Sequence, residues 1–342
     1  MQLLNTLYVT TAESYLHLDN DTLRVDVEHE TRLRVPLHHI GSIVCLGNIL
    51  LSTPLMHRLA DEGICLVMLD GNGRFKARLE GPVSGNVLLR VAHQDKARDP
   101  AFALALARNC IAGKIKNARQ VLLRGAREAA DEGEAKRMGR AADDLAAALR
   151  SLPTSDDLDT LRGVEGEAAR QYFAALNLLV RGGARNHFQM DGRTRRPPRD
   201  RMNALLSFLY SMLMNDCRSA VEAAGLDPQV GFLHALRPGR AALALDLMEE
   251  FRPIADRLAL TLINRGQLDA SDFIEREGGA VMLEGDARKA VVVAYQERKQ
   301  EELLHPLLAQ PIPLGLAPLV QARLMARHLR GDMPDYLPFL VR

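Results

Sequence analysis

Apolar and polar side chains alternate in short runs through the first part of the chain: 7–11, 15–18, 22–27 and 31–35. That period of two is the signature of strands with one face buried. Asp19-Asn20-Asp21 supplies a turn between the second and third runs, and 40–46 is apolar enough for a more buried strand. A short helix is expected over 54–60, ending near Gly63. The runs 64–69 and 74–79 flank Asp70-Gly71-Asn72-Gly73, which predicts a hairpin. Around 94–100 the period changes. Residues 100–129, 132–152 and 156–180 have helical spacing and are rich in Ala, Leu, Arg and Glu. The polar, basic stretch 182–198 reads as a loop. Helices are expected again over 201–224 and 241–264, with Pro253 kinking or breaking the second. Residues 273–283 alternate around Gly278-Gly279 as a small hairpin, and the remainder returns to helix before a Pro-rich tail. The fold class expected is α+β, with an N-terminal β-sandwich domain (1–93) followed by a larger all-α catalytic domain (94–342).

Composition narrows the class. The chain has 342 residues, 47% of them hydrophobic, which suits about two domains with substantial cores. There is no uncharged apolar run of membrane-spanning length, and residues 1–8 carry neither a basic region nor a small-residue cleavage site, so a cytoplasmic location is expected. Cys45, Cys65, Cys110 and Cys217 lack CxxC spacing and read as reduced, buried thiols. The net charge of +1 excludes a general polycation. Nucleic-acid affinity has to come from local patches, the clearest being Arg193, Arg195, Arg196, Arg199 and Arg201. There, two prolines stiffen the chain, and arginine forks suit phosphate oxygens. Lys114, Lys116 and Arg119 read as a solvated helix face.

Metal-ligand residue types recur in three places. Glu165 lies between Gly163 and Gly166 inside a helical segment, where each glycine costs about 1 kcal/mol. Such a pair implies a reason, for instance close backbone approach to a ligand. A surface glutamate at a helix junction is the plainer reading. His234 follows Gly231-Phe232-Leu233, where a satisfied core histidine is the plainer reading. Asp246 and Glu249, three apart in an apolar helical run, share one helix face. A buried carboxylate there needs a cation, hydrogen bonds or protonation, and Arg252 or Arg257 would supply a purely structural ion pair. Glu250 reads as the solvent-facing acid. If Glu165 and His234 converge on the Asp246/Glu249 face, the result is a site for Mg²⁺ or Mn²⁺, suited to phosphodiester chemistry. Nucleotide-binding loops of the GxxxxGK[ST] and GxGxxG kinds and the GxSxG elbow are absent.

These motifs, with 163–173, 195–210, 231–234 and 243–253, resemble the CRISPR-associated integrase of spacer acquisition, the first protein of the Cas nomenclature, in its type I-C form. The resemblance covers essentially the full length. It implies that Glu165, His234 and Glu249 are the metal ligands, with Asp246 a further acid of the same site. Many members have aspartate where this chain has Glu249. It also implies homodimers through the β-rich domain, and a heterohexamer with a small acquisition partner protein. The substrates implied are double-stranded DNA, both the short fragment and the leader–repeat. The activity implied is Mn²⁺- or Mg²⁺-dependent insertion of short DNA into a CRISPR array, with nuclease activity beside it. A stand-alone metal nuclease of repair and a non-catalytic DNA-binding scaffold are the alternatives.

Overall fold

The computed structural model describes residues 6–71, 73, 75–82 and 87–341. The first eight elements are β1 (Thr6–Val9), β2 (Tyr15–Asp19), β3 (Thr22–Val27), β4 (Glu30–Pro36), β5 (Ser42–Leu46), β6 (Leu50–Leu51), α1 (Thr53–Asp61) and β7 (Cys65–Leu69). Then come β8 (Phe75–Leu79), α2 (Val87–Arg98), α3 (Pro100–Glu128), α4 (Glu132–Ser151), α5 (Leu158–Leu176), α6 (Arg201–Ala223), α7 (Ala242–Met248) and α8 (Arg252–Asn264). The chain continues through β9 (Phe273–Arg276), β10 (Ala280–Leu283), α9 (Gly285–Gln300), β11 (Glu302–Leu304), β12 (Pro311–Pro313) and α10 (Ala317–Leu329).

The N-terminal strands form two four-stranded sheets, ordered β1-β5-β7-β8 and β4-β3-β2-β6. Leu16 and Leu23 from one sheet, Ile43 and Leu66 from the other, and Leu55 and Leu59 of α1 share one apolar core. The first sheet is mixed: β1, β5 and β7 run parallel, and α1 lies between β5 and β7 in the chain, as a parallel pairing requires. The expected hairpin is present as the antiparallel β7–β8 pair, Leu66 opposite Leu79. Asn72 and Arg74 of that reading, and residues 1–5 of the N-terminal reading, lie outside the described residues. Helix α2 runs through the 93/94 position.

The C-terminal region is helical in the main but not all-α, because β9–β10 and β11–β12 form two small antiparallel ladders. Those ladders are short, and only 273–283 carried an alternating pattern. Helix α6 is buried over most of its surface, from Met202 and Leu206 to Phe208, Leu213 and Val221, with a partly exposed stripe at Ser207, Ser211 and Met214, and serves as the axis of this region. Asp200 caps it, accepting from the Asn203 N–H at 2.7 Å. The 241–264 segment is two helices rather than one kinked helix. Pro253 stands in the first turn of α8, where its missing N–H costs nothing, so residues 249–251 form a non-helical turn. That turn brings the site together.

Candidate metal centre

Four pieces of chain converge on a cavity of about 140 Å³ lined by Glu165, His234, Glu249, Lys114, Arg252 and Asp256, among others. Glu165 comes from α5, His234 from the loop before α7, Glu249 from the turn after α7, and Lys114 from α3. The helical spacing that set Glu165 facing inward leaves Gly163 and Gly166 exposed, and a Cβ on either would meet nothing within 4 Å. The expected close backbone approach is therefore not made by these glycines. It is made by Gly231, where a Cβ would sit 2.7 Å from that of Ala242 and 2.9 Å from Asp246 Oδ2. Only glycine lets the His234 loop lie flat on α7.

Asp246 fixes that loop. It is fully buried, and its Oδ2 accepts from the N–H groups of Phe232 (2.6 Å) and Leu233 (3.0 Å). Its Oδ1 accepts from the His234 N–H at 3.0 Å and lies 2.6 Å from His234 Nδ1. A proton held on Nδ1 leaves Nε2 with its lone pair toward the cavity. Asp246 is thus committed to holding His234, and the arginine ion pair open to it in the sequence is not formed. From α5, Arg162 donates to Leu233 O at 2.6 Å through one terminal nitrogen and at 3.2 Å through Nε, tying the loop to the turn before Glu165.

Glu249 is 4% exposed and lies between cations. Arg252 Nε donates to its Oε1 at 2.9 Å, and Lys114 Nζ stands 2.7 Å from its Oε2. Burial alone would raise its pKa, but Arg252 and then Lys114 outweigh burial and hold it well below the usual carboxylate range. Lys114 also donates to Glu165. Burial works against the Lys114 ammonium, but Glu249 and Glu165 prevail and raise its pKa. Lys114 is therefore part of the site and not of a solvated face. Its neighbours on the α3 stripe, Cys110, Ile111, Asn117 and Ala118, are all buried. A lysine on an apolar stripe was the available signal that a countercharge faced it. Beside this centre Asp256 accepts from Tyr172 (3.0 Å) and Tyr210 (2.7 Å), and burial raises its pKa to about 6.

Among the described residues no three His, Cys, Asp or Glu side chains are gathered as tightly as around an ion, since the Lys114 ammonium stands between the two glutamates. The donor set nevertheless fits a divalent cation: two carboxylates, a presented imidazole nitrogen, and Glu249 Oε2, a buried oxygen that receives no hydrogen bond of proper geometry.

The arginine loop divides. Arg193 turns inward, donating to Asn203 Oδ1 at 2.5 Å and Ser207 Oγ at 3.2 Å, with its guanidinium over the Tyr210 ring. Arg199 donates to Gly278 O at 2.5 Å. Arg195 and Arg196 are exposed and line a larger groove of about 800 Å³ that continues from the site past Phe208, Tyr210 and Arg288. The four cysteines are free thiols, three of them buried and Cys65 half-buried. Among the described residues no helix is long and apolar enough to cross a membrane.

The helical body thus presents two carboxylates and an imidazole beside a groove lined by exposed arginines. The chain belongs to the Cas1 family: the model described as CRISPR associated protein Cas1 matches residues 7–297. It is 57% identical over 341 residues to a CRISPR-associated endonuclease Cas1 of Moorella thermoacetica, covering 99% of each chain. Its fold is similar to that of a casposase bound to integration product, with a TM-score of 0.84 and 22% identity, covering 98% of this chain and 92% of that one. It is also similar to a chain of a Cas6-RT-Cas1–Cas2 complex, with a TM-score of 0.83 and 24% identity, covering 97% of this chain and 36% of that chain.

Proposed function

We propose that this protein inserts short foreign DNA fragments into a CRISPR array, with Glu165, His234 and Glu249 holding Mn²⁺ or Mg²⁺. The convergence of these three side chains on one cavity, with Asp246 orienting the imidazole, carries this reading. A bound divalent ion would supply electrophilic activation of the scissile phosphate and stabilise charge on the oxygens exchanged there. The chain's own groups do the rest. Asp246 keeps the proton on Nδ1 of His234. Arg252 holds Glu249 ionised, and Arg195 and Arg196 take backbone phosphates along the groove. The reaction is attack of a fragment's 3′-hydroxyl on a repeat phosphodiester, with water as the competing nucleophile that gives endonuclease activity. Similarity to a chain of a Cas6-RT-Cas1–Cas2 complex supports a Cas2-type small partner. Homodimerisation through the β-rich residues 1–93, a heterohexamer, a catalytic unit over 94–342 and a cytoplasmic location complete the reading.

The test is strand transfer of a labelled duplex with free 3′-hydroxyls into leader–repeat DNA, with Mn²⁺, with and without the small partner. Wild type should give joined product that depends on the partner. His234→Ala and Glu165→Gln, folded and still binding DNA, should lose at least ~10²-fold in rate. Cleavage without joining under every condition would replace this reading with a stand-alone nuclease; DNA binding without either activity would replace it with a scaffold.

A further inference from the structure

Among the described residues Lys114 is the one cation in contact with both glutamates of the centre, and it comes from α3, which supplies none of the proposed ligands. Arg252, the other cation, is held differently. It bonds Glu249 Oε1 and lies over the Tyr210 ring, 4.8 Å from its centroid, so its planar group is fixed on two sides. Glu249 therefore has one oxygen committed to Arg252 and one, Oε2, touched only by a flexible ammonium and receiving no hydrogen bond.

We propose that Lys114 is a tethered countercation that a divalent ion has to displace, so that this residue sets the site's metal affinity. The inference rests on the metal-centre reading above. An ion bound by Glu165 and Glu249 would sit about 2.0–2.6 Å from their oxygens, in the volume the ammonium now fills. Ammonium and ion cannot share that volume, because their charges repel strongly at such range. The lysine stem is four carbons long and its side chain is 16% exposed, so the charge has a way out toward the cavity mouth without any movement of α3. Without the ion, Lys114 keeps two carboxylates together in a half-buried pocket. With the ion, it gives up both contacts. Metal loading is then an exchange of one charge for another, and the site binds more weakly than its donor set alone would.

A fixed structural strut predicts something else. Loss of a strut lowers stability whether or not metal is present and leaves no reason for tighter binding. Calorimetric titration of the full chain with Mn²⁺, without DNA, separates the two for wild type, Lys114→Met, Lys114→Arg and Glu165→Gln. Lys114→Met should bind Mn²⁺ at least ~10-fold more tightly than wild type, since a competing charge within a few ångströms is gone. It should also melt lower in chelator and gain more from added Mn²⁺ than wild type does. Lys114→Arg, which keeps the charge, should show no gain. Unchanged or weaker affinity in Lys114→Met, or an equal gain in Lys114→Arg, would overturn the proposal. If Lys114→Met does not fold, Lys114→Gln is measured against the same criteria. Glu165→Gln reports on the underlying reading: wild-type binding that is indifferent to it would remove the metal centre itself, and the proposal with it.

Discussion

Glu249 and Glu250 are neighbours in the chain, both buried, and the two sides of the molecule they enter treat them oppositely. The turn between α7 and α8 sends Glu249 into the cavity and Glu250 the other way, under the C-terminal tail. Even α3 meets them with consecutive residues: Lys114 faces Glu249, and Gly113 faces Glu250, where a Cβ would lie 3.2 Å from Glu250 Cγ and 2.7 Å from Pro338. On the cavity side the partners are cations. On the tail side they are neutral. Tyr336 donates to Glu250 Oε1, while the Phe339 N–H (2.5 Å) and Gln321 Nε2 (3.1 Å) donate to Oε2. Asn117 closes the knot, donating to Glu250 O and Phe339 O and accepting from the Val341 N–H. Burial pushes the Glu250 carboxyl up to about 8, only partly offset by Tyr336, whereas Glu249 stays ionised. Burial alone thus does not decide whether a carboxylate is available as a ligand. The charge of what surrounds it does.

The largest way to break the comparison is to neutralise each acid in turn. Glu249→Gln should cut strand transfer at least ~10²-fold, because a charged oxygen donor is lost from the centre. Glu250→Gln should leave the rate per folded molecule near that of wild type. Equal losses in both, with both proteins folded, would mean that the tail knot and the centre are one unit.

The sequence exposed these two acids unequally. Glu249 was readable, together with Glu165, His234 and Asp246, because ligand-type residues stood in three recurring motifs; the resemblance supplied their convergence, which spacing alone does not give. Glu250 looked solvent-facing because what covers it, Tyr336 and Phe339, comes more than eighty residues later with no local pattern to announce it. The same limit hid Lys114 and Arg162, whose partners are distant in sequence, whereas Arg252 was open in the sequence as a partner for a buried carboxylate of this run and pairs with Glu249. Strand alternation in the first part of the chain was legible, since one buried face imposes period two. The β11–β12 ladder, three residues a side and held by Pro311–Pro313, carries too short a signal. The break at 249–251 was half legible: Pro253 marked it, but a proline starts a helix as readily as it kinks one.

A smaller effect sharpens the contrast through pH. The folded Glu250 carboxyl titrates at about 8, against 4.5 for the ordinary group. Between those values the folded chain holds a proton the unfolded chain has released, so stability falls as pH rises through that window. The slope from one such proton is up to about 1.4 kcal/mol per pH unit. Glu249 runs the other way: its contribution is present above the ordinary carboxylate range and is lost as pH falls through its lowered pKa. Asp256, raised to about 6, adds to the first slope only at its acidic end. Denaturant unfolding of wild type and Glu250→Gln between pH 6.5 and 8 isolates the term as the difference of two slopes. Identical slopes would show that the tail side does not hold a protonated acid.

The smallest effect comes from Tyr336→Phe. Tyr336 is fully buried and its hydroxyl is the donor to Glu250 Oε1. The same hydroxyl accepts from Gln321 Nε2 at 2.9 Å, but that nitrogen keeps Glu250 Oε2 at 3.1 Å and Leu337 O at 3.0 Å, one acceptor for each of its hydrogens. Gln321 Oε1 in turn lies 3.1 Å from His305 Nε2, while His305 Nδ1 accepts from the Leu308 N–H at 3.2 Å, which leaves the donor on Nε2. The amide is therefore pinned, and removing the hydroxyl orphans a single buried oxygen. One unsatisfied buried acceptor costs about 1–3 kcal/mol, and because that acceptor is more easily protonated than ionised here, the low end is expected near neutral pH. The loss should grow as pH rises toward 8 and ionises Glu250, with strand transfer per folded molecule unchanged. A loss that stays constant as pH rises would mean that the carboxyl is already ionised at neutral pH, and the two sides of the turn would no longer differ in charge.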